Sequence, residues 1–338
     1  MDNSNNNNGK NELITKLRKI DFEQLPISDY NKSYIRRITD HLEHYMNIYA
    51  LCLQKGIRAA KRSPEEIILV DYGGGSGFLS YLAKAMGIGR VIYVDLNPLS
   101  VATTKTIQQE IGLGPDILIE GDSDRLAAWC REQGIQPHLL IATDLIEHVY
   151  DLKRFFSDLL GISDRMNLLF TTASTPYNPI KRRQLHRLMR GCETGDAVQP
   201  NYATLRRQYI QQQFPQLTEK QLSEWTDRTR GLIYRDIRRA IESNTPPTLH
   251  DPFNTCHPET GNWAERILPI RDYKEIIAPY GYTLKVDKGF YNTIRPRKLV
   301  ALICRFINLC IKGSGRLGLL IAPFILLSLY PRKVNQPH

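Results

Sequence analysis

Apolar and polar positions change their rhythm several times along this chain. Residues 67–70 are a short β-branched, apolar run closed by Asp71, and Gly73, Gly74, Gly75 and Gly77 follow as a turn in which the backbone can approach a ligand. Phe78, Leu79, Leu82 and Ala83 then share one helical face, and residues 91–94 form a second apolar run closed by Asp95. The order is strand, loop, helix, strand. It repeats with a helix opening near Pro98, a strand over 117–119 that ends in Glu120-Gly121-Asp122-Ser123, and a helix through Leu126 and Trp129. A strand over 139–142 leads into the stretch 143–149, a helix carries Leu152, Phe155, Phe156 and Leu159, and a fifth strand covers 168–171. No strand alternates polar with apolar, which predicts an α/β fold. With two further strands expected from Tyr282 and at 291–294, it is a Rossmann-like, mainly parallel, seven-stranded sheet with helices on both faces. In such a sheet ligands bind outside the carboxyl ends of the strands, where Asp71 and Asp95 stand.

The flanks read differently. Polar residues 1–9, rich in asparagine, predict a disordered start, and Ile14, Leu17, Ile35, Ile38, Leu42, Met46 and Tyr49 predict helices, so that 1–62 is a helical lead-in to a core over 63–176. Within it Tyr30, Tyr34, Arg36 and Arg37 read either as substrate contacts or as an ordinary helix face. Residues 177–248 are polar, basic and helical, an insertion at the ligand edge suited to a substrate lid; its arginines read as an anion site or as solvated surface interleaved with acids. Over 249–294 the core is completed by a turn-rich passage, a short helix, a strand from Tyr282 and a last antiparallel strand at 291–294. Trp263, Glu265 and Arg266 are expected in a loop closing on the site, with a structural ion pair as the alternative. From 295 to 338 there is no Asp or Glu, and two apolar pieces, 299–311 and 317–330, alternate with basic residues. Each is shorter than the roughly 20 residues that span a bilayer, so a helical hairpin dipping into the cytoplasmic leaflet of a membrane is expected, with packing on protein as the alternative.

Composition narrows this picture. At 338 residues and 42% hydrophobic the chain can bury a full α/β core and an insertion. The net charge of +10 has its explanation in the basic tail, and no helix-turn-helix, zinc-finger or RNP-like pattern points to nucleic acid. Six scattered cysteines without a C-x-x-C pair read as free intracellular thiols, and the absence of a signal-type stretch predicts a cytoplasmic location. His250, Asp251, His257 and Glu259 lack the spacing of a zinc site, so no metal is expected.

A dinucleotide loop requires glycine where Phe78 stands. The pattern Asp71-x-Gly73-x-Gly75-x-Gly77 instead resembles the first motif of class I S-adenosylmethionine-dependent methyltransferases, and the match covers about 67–172 with 273–286. The resemblance implies S-adenosylmethionine as cofactor. It implies that Asp71, Gly73, Gly75 and Gly77 surround the methionine part, that Asp95 binds the ribose hydroxyls and Leu96 touches adenine, and that Asp122, with Ser123, contacts the adenine from the third strand. Asp144-x-x-Glu147-His148 resembles a segment of the quinone-biosynthesis branch, with Asp144 at the cofactor. His148 is the candidate catalytic base for a hydroxyl acceptor, or a residue that shapes the pocket. The acceptor is expected to be a small, hydrophobic or lipid-like molecule; a protein or peptide methyltransferase, and a binding module without turnover, are the alternatives.

Overall fold

The computed structural model describes residues 3–195 and 201–332. Three helices open the chain: α1 (Asn3–Leu17), α2 (Asp29–Thr39) and α3 (Leu42–Ala60). The first of these begins inside the asparagine-rich stretch expected to lack order. The core follows as β1 (Ile68–Tyr72), α4 (Phe78–Ala85), β2 (Arg90–Asp95), α5 (Pro98–Ile111), β3 (Ile117–Glu120), α6 (Ser123–Gln133), β4 (Leu139–Thr143), α7 (Leu152–Leu160) and β5 (Asn167–Thr172). Local chemistry sets several of these boundaries. Asn97 caps α5 by accepting from Leu99 N, with Pro98 in the first turn, and Asp122 caps α6 by accepting from Arg125 N.

The insertion holds α8 (Pro179–Thr194), α9 (Tyr202–Gln213), α10 (Glu219–Arg228) and α11 (Tyr234–Glu242), around a small core of Ile210, Leu222, Trp225 and Ile237. Two of its arginines are structural. Arg206 is fully buried in an ion pair with Glu193, and Arg230 donates to the carbonyls of Phe253 and Asn254. The chain then runs through α12 (Ile270–Ile277), β6 (Tyr282–Lys288), α13 (Lys298–Gly313) and β7 (Ile325–Pro331).

The strands lie in the order β3-β2-β1-β4-β5-β7-β6, with the first five parallel and β7 antiparallel to both its neighbours. Alternate residues feed two cores. Leu69, Ile141 and Leu326 face the lead-in helices, whereas Val70, Leu140 and Leu327 face α6, α7 and α12. The order reverses between β1 and β4, and this switch point opens at the carboxyl ends of those strands.

Two expectations are corrected here. No strand forms at 291–294, because the backbone N–H and C=O of Tyr291 are taken by the side chain of Asn308. Nor do residues 317–330 form the second arm of a membrane hairpin: residues 325–331 are β7, a strand inside the sheet. Its continuous Ile-Leu-Leu run is apolar because both faces of β7 are covered by protein. Residues 333–338, the end of the predicted tail, lie outside the described residues. Leu327 is fully buried in β7, so Leu327→Ala should lower stability by about 3 kcal/mol in urea unfolding; a surface tail would give no change.

Candidate functional site

The turn after β1 needs glycine for two separate reasons. Gly73, Gly75 and Gly77 have φ of 66°, 55° and 80°, which disfavour any L side chain, and a Cβ on Gly73 would overlap the Leu145 side chain. Hydrogen bonds tie this turn to the end of β2. Gly75 N donates to Asp95 Oδ2 at 2.9 Å, Asn97 N donates to Asp95 Oδ1 at 2.8 Å, and Tyr93 OH donates to Gly75 O at 2.5 Å. A carboxylate accepts about four hydrogen bonds, so Asp95 retains capacity for a vicinal diol. Burial raises its pKa, against the opposing effect of the two backbone donors.

The other predicted cofactor residues divide into two groups. Leu96, exposed at 73%, and the exposed Asp122 project from the ends of β2 and β3 beside Asp95, in keeping with a ligand lying across those ends. Asp122 also caps α6, and Ser123 donates to Asp158 Oδ2 at 2.6 Å. Asp71, by contrast, lies beneath the turn. It is buried, accepts from Ser80 Oγ at 2.7 Å, and burial pushes its pKa up to about 7.

Beyond β4 the chain enters a strained corner. Asp144 has φ of 56°, unusual for a non-glycine residue, and its N–H donates to Thr171 O at 3.0 Å. Three residues on, Glu147 is fully buried; its Oε1 accepts from Thr172 Oγ1 at 2.7 Å, and its Oε2 has no hydrogen-bond partner among the described residues. The segment with Trp263, Glu265 and Arg266 runs alongside. Arg266 N donates to Glu147 O at 3.2 Å and Trp263 N to His148 O at 3.3 Å, while His148 Nδ1 donates to Trp263 O at 2.7 Å. This placement brings Glu265, which accepts from Ser174 Oγ, close to Glu147. Burial raises both carboxyl pKa values, and the nearby Asp144 raises them further. Arg266 packs over the Trp263 ring rather than pairing with Glu265.

Asp71, Asp95, Asp144, Glu147 and Glu265 therefore gather acidic groups at one sheet edge. Among the described residues none of the five forms an ion pair within 4.0 Å, although the chain carries 45 lysines and arginines. Next to them is a cavity of about 500 Å³ that Asp144 and Thr172 share with α2, α3, α8 and the segment before α13. Ile38, Ile48, Tyr45, Phe290 and Phe324 give it an apolar wall, and Arg37, Lys181 and Arg295 give it a basic one.

His148 does not line this cavity, whereas His44 of α3 does. Burial, with Arg295 adding repulsion, pushes the His44 pKa down to about 4. Sequence patterns did not single out His44 or Glu147 by role, and Glu265 was expected only as part of a loop closing on the site. The only local signal for Glu147 was its place in the motif with Asp144. A larger cavity of about 720 Å³, between α12 and Trp263, is lined by Trp263 and Arg266 but by none of the predicted cofactor residues and not by His148.

No family model matches the chain. Several solved structures overlap with it. A protein named PKMT2 from Rickettsia typhi, in complex with S-adenosylhomocysteine, has 12% identity and a TM-score of 0.43 over 84% of this chain, which spans 53% of that protein's length. An S-adenosylmethionine-dependent methyltransferase from Archaeoglobus fulgidus has 15% identity and a TM-score of 0.40, covering 88% of this chain and 99% of its own. The plantazolicin methyltransferase BpumL, in complex with S-adenosylhomocysteine, has 12% identity and a TM-score of 0.41, covering 97% and 99%. Likeness at this level assigns neither activity nor substrate.

The raised Glu147 pKa has a measurable consequence. Below the unfolded-state value of about 4.3 both states hold the proton; above it the unfolded chain ionises first, so stability falls as pH rises toward the folded value. Glu147→Gln should flatten this decline above about pH 5 in urea midpoints, and an unchanged decline would show that Glu147 ionises freely in the fold.

Proposed function

We propose that the chain is an S-adenosylmethionine-dependent methyltransferase acting on a small, hydrophobic or lipid-like acceptor at the cytoplasmic surface of a membrane. The observation that carries this reading is the set of acidic groups at one sheet edge, none of them in an ion pair among the described residues. Buried carboxylates with raised pKa values favour a ligand that brings positive charge to them. S-adenosylmethionine supplies, when bound, a methyl group on a cationic sulfonium.

On this reading Asp95 holds the ribose hydroxyls, Leu96 and Asp122 with Ser123 hold the adenine, and Gly73, Gly75 and Gly77 carry the turn against the methionine part, with Asp71 bracing that turn from below through Ser80. Asp144 belongs to both this site and the 500 Å³ cavity, which makes the cavity the acceptor's place. Its apolar wall suits a hydrophobic acceptor, and α8 at its edge gives the insertion 177–248 the role of a selectivity lid. His148 lies outside this cavity with its Nδ1–H committed to the Trp263 carbonyl, so on this reading it shapes the pocket by holding the segment at 263–266, whereas His44 lines the cavity but its depressed pKa makes it a weak base. A protein substrate docked on the arginine-rich insertion is the second reading: Arg206 and Arg230 are spent on internal contacts, whereas Arg183, Arg187 and Arg190 stay exposed.

Two measurements test the reading. Asp95→Ala should weaken S-adenosylmethionine binding by about 100-fold or more in calorimetry, with the fold retained by circular dichroism; unchanged affinity would remove Asp95 from the site. Incubation of the protein with methyl-labelled cofactor and separate lipid, small-metabolite and protein extracts should label the lipid or apolar fraction. In that assay His148→Ala should lower turnover by less than about 10-fold without altering cofactor affinity, and a loss of about 10²-fold or more would make His148 the base.

A further inference from the structure

The helix between β6 and β7 presents to solvent what a water-soluble protein ordinarily covers. On α13 the exposed side chains include Leu299 at 69%, Leu302 at 62%, Ile303 at 49%, Phe306 at 66% and Leu309 at 68%. At about 100° per residue these five fall on one stripe roughly 120° wide. Cys304 and Ile311 lie on the opposite face and are buried against the protein. Lys298, Arg305 and Lys312, spaced by seven residues, line one flank of the stripe. The turn after the helix continues the surface with Arg316, Leu317 and Leu320, all exposed. No acidic residue occurs anywhere in the sequence after Asp287.

We propose that α13 and the turn after it are an interfacial docking element that lies flat on an anionic lipid bilayer and sets the mouth of the acceptor cavity against it. The 16 residues of α13 are too few to cross a bilayer, and no helix among the described residues is long and apolar enough to do so. Its pattern of an apolar stripe with a basic flank is that of a helix resting at the headgroup boundary, with lysine and arginine reaching the phosphates. Charge favours lipid over a second copy of this chain, because a symmetric contact through this face would bring Lys298, Arg305 and Lys312 against their equivalents without a compensating acid.

The element is also joined to the cavity. Asn308 of α13 accepts from Tyr291 N at 2.7 Å and donates to Tyr291 O at 2.9 Å. Tyr291 and Arg295 before the helix, and Pro323 and Phe324 after it, line the cavity. An acceptor dissolved in the bilayer then has a short path to Asp144; this half of the inference rests on the methyltransferase reading, whereas the docking itself does not.

Flotation of the full chain with phosphatidylcholine vesicles, with and without about 30% phosphatidylglycerol, tests the docking at low and high salt. The parent protein should float with the anionic vesicles and release in salt. Leu302→Ser combined with Phe306→Ser, and separately Arg305→Glu combined with Lys312→Glu, should each reduce flotation by about 10-fold or more. Melting temperature and calorimetric cofactor affinity should be unchanged in both. Flotation equal to the parent's in either variant, or absence of flotation with any vesicle, overturns the docking. A parent dimer converted to monomers by the serine pair, with vesicles ignored, would assign the face to a second copy instead. Cofactor affinity is read independently, so failure of the methyltransferase reading leaves the vesicle result interpretable.

Discussion

A carboxylate removed from water without a cation beside it is costly, and this fold keeps several at one edge of its sheet. Neutral donors hold them. Ser80 serves Asp71, the amides of Gly75 and Asn97 serve Asp95, Thr172 serves Glu147, and Ser174 serves Glu265. Hydrogen bonds of this kind orient an acid without cancelling its charge, so the edge stays poised for a positive ligand. Much of the surrounding structure follows from that arrangement. The glycine turn brings a backbone amide to Asp95, the left-handed Asp144 turns the chain toward Glu147, and the segment at 263–266 pairs by its main chain with Glu147 and His148. The basic side chains of Arg37, Lys181 and Arg295 stand across the neighbouring cavity without pairing with these acids.

Much of this was legible in the sequence wherever one local rhythm determined the outcome. The runs ending at Asp71 and Asp95, with glycines between, could be read because a strand, a tight turn and a helix each leave a short-range mark. The ligand edge followed from topology. What could not be read depends on distant partners. The loop with Glu265 was expected at the site but its partners were not: its neighbours pair with Glu147 and His148, and nothing near it in sequence announces that pairing. His44 sits on an amphipathic helix whose period looks the same whether its half-buried side faces a cavity or a neighbouring chain segment.

The misreading of β7 has a different physical origin. An apolar run flanked by basic residues has the same appearance whether lipid or protein covers it, and only the position between β5 and β6 decides which. The helix before it is the reverse case. In α13 the apolar stripe is uncovered, so the exposed apolar and basic surface expected of the tail lies on a helix between β6 and β7.

The antiparallel β7 also imposes an order of assembly. β6 precedes it in the chain yet reaches the sheet only through it, since β6 pairs with β7 and β7 alone joins β5. During synthesis, therefore, a nascent chain that has emerged as far as β6 carries two unsatisfied strand edges, on β5 and on β6, awaiting the same late segment. The first five strands can form a nucleus on their own local crossovers, whereas closure must wait for a long-range pairing that brings α13 to the surface at the same moment.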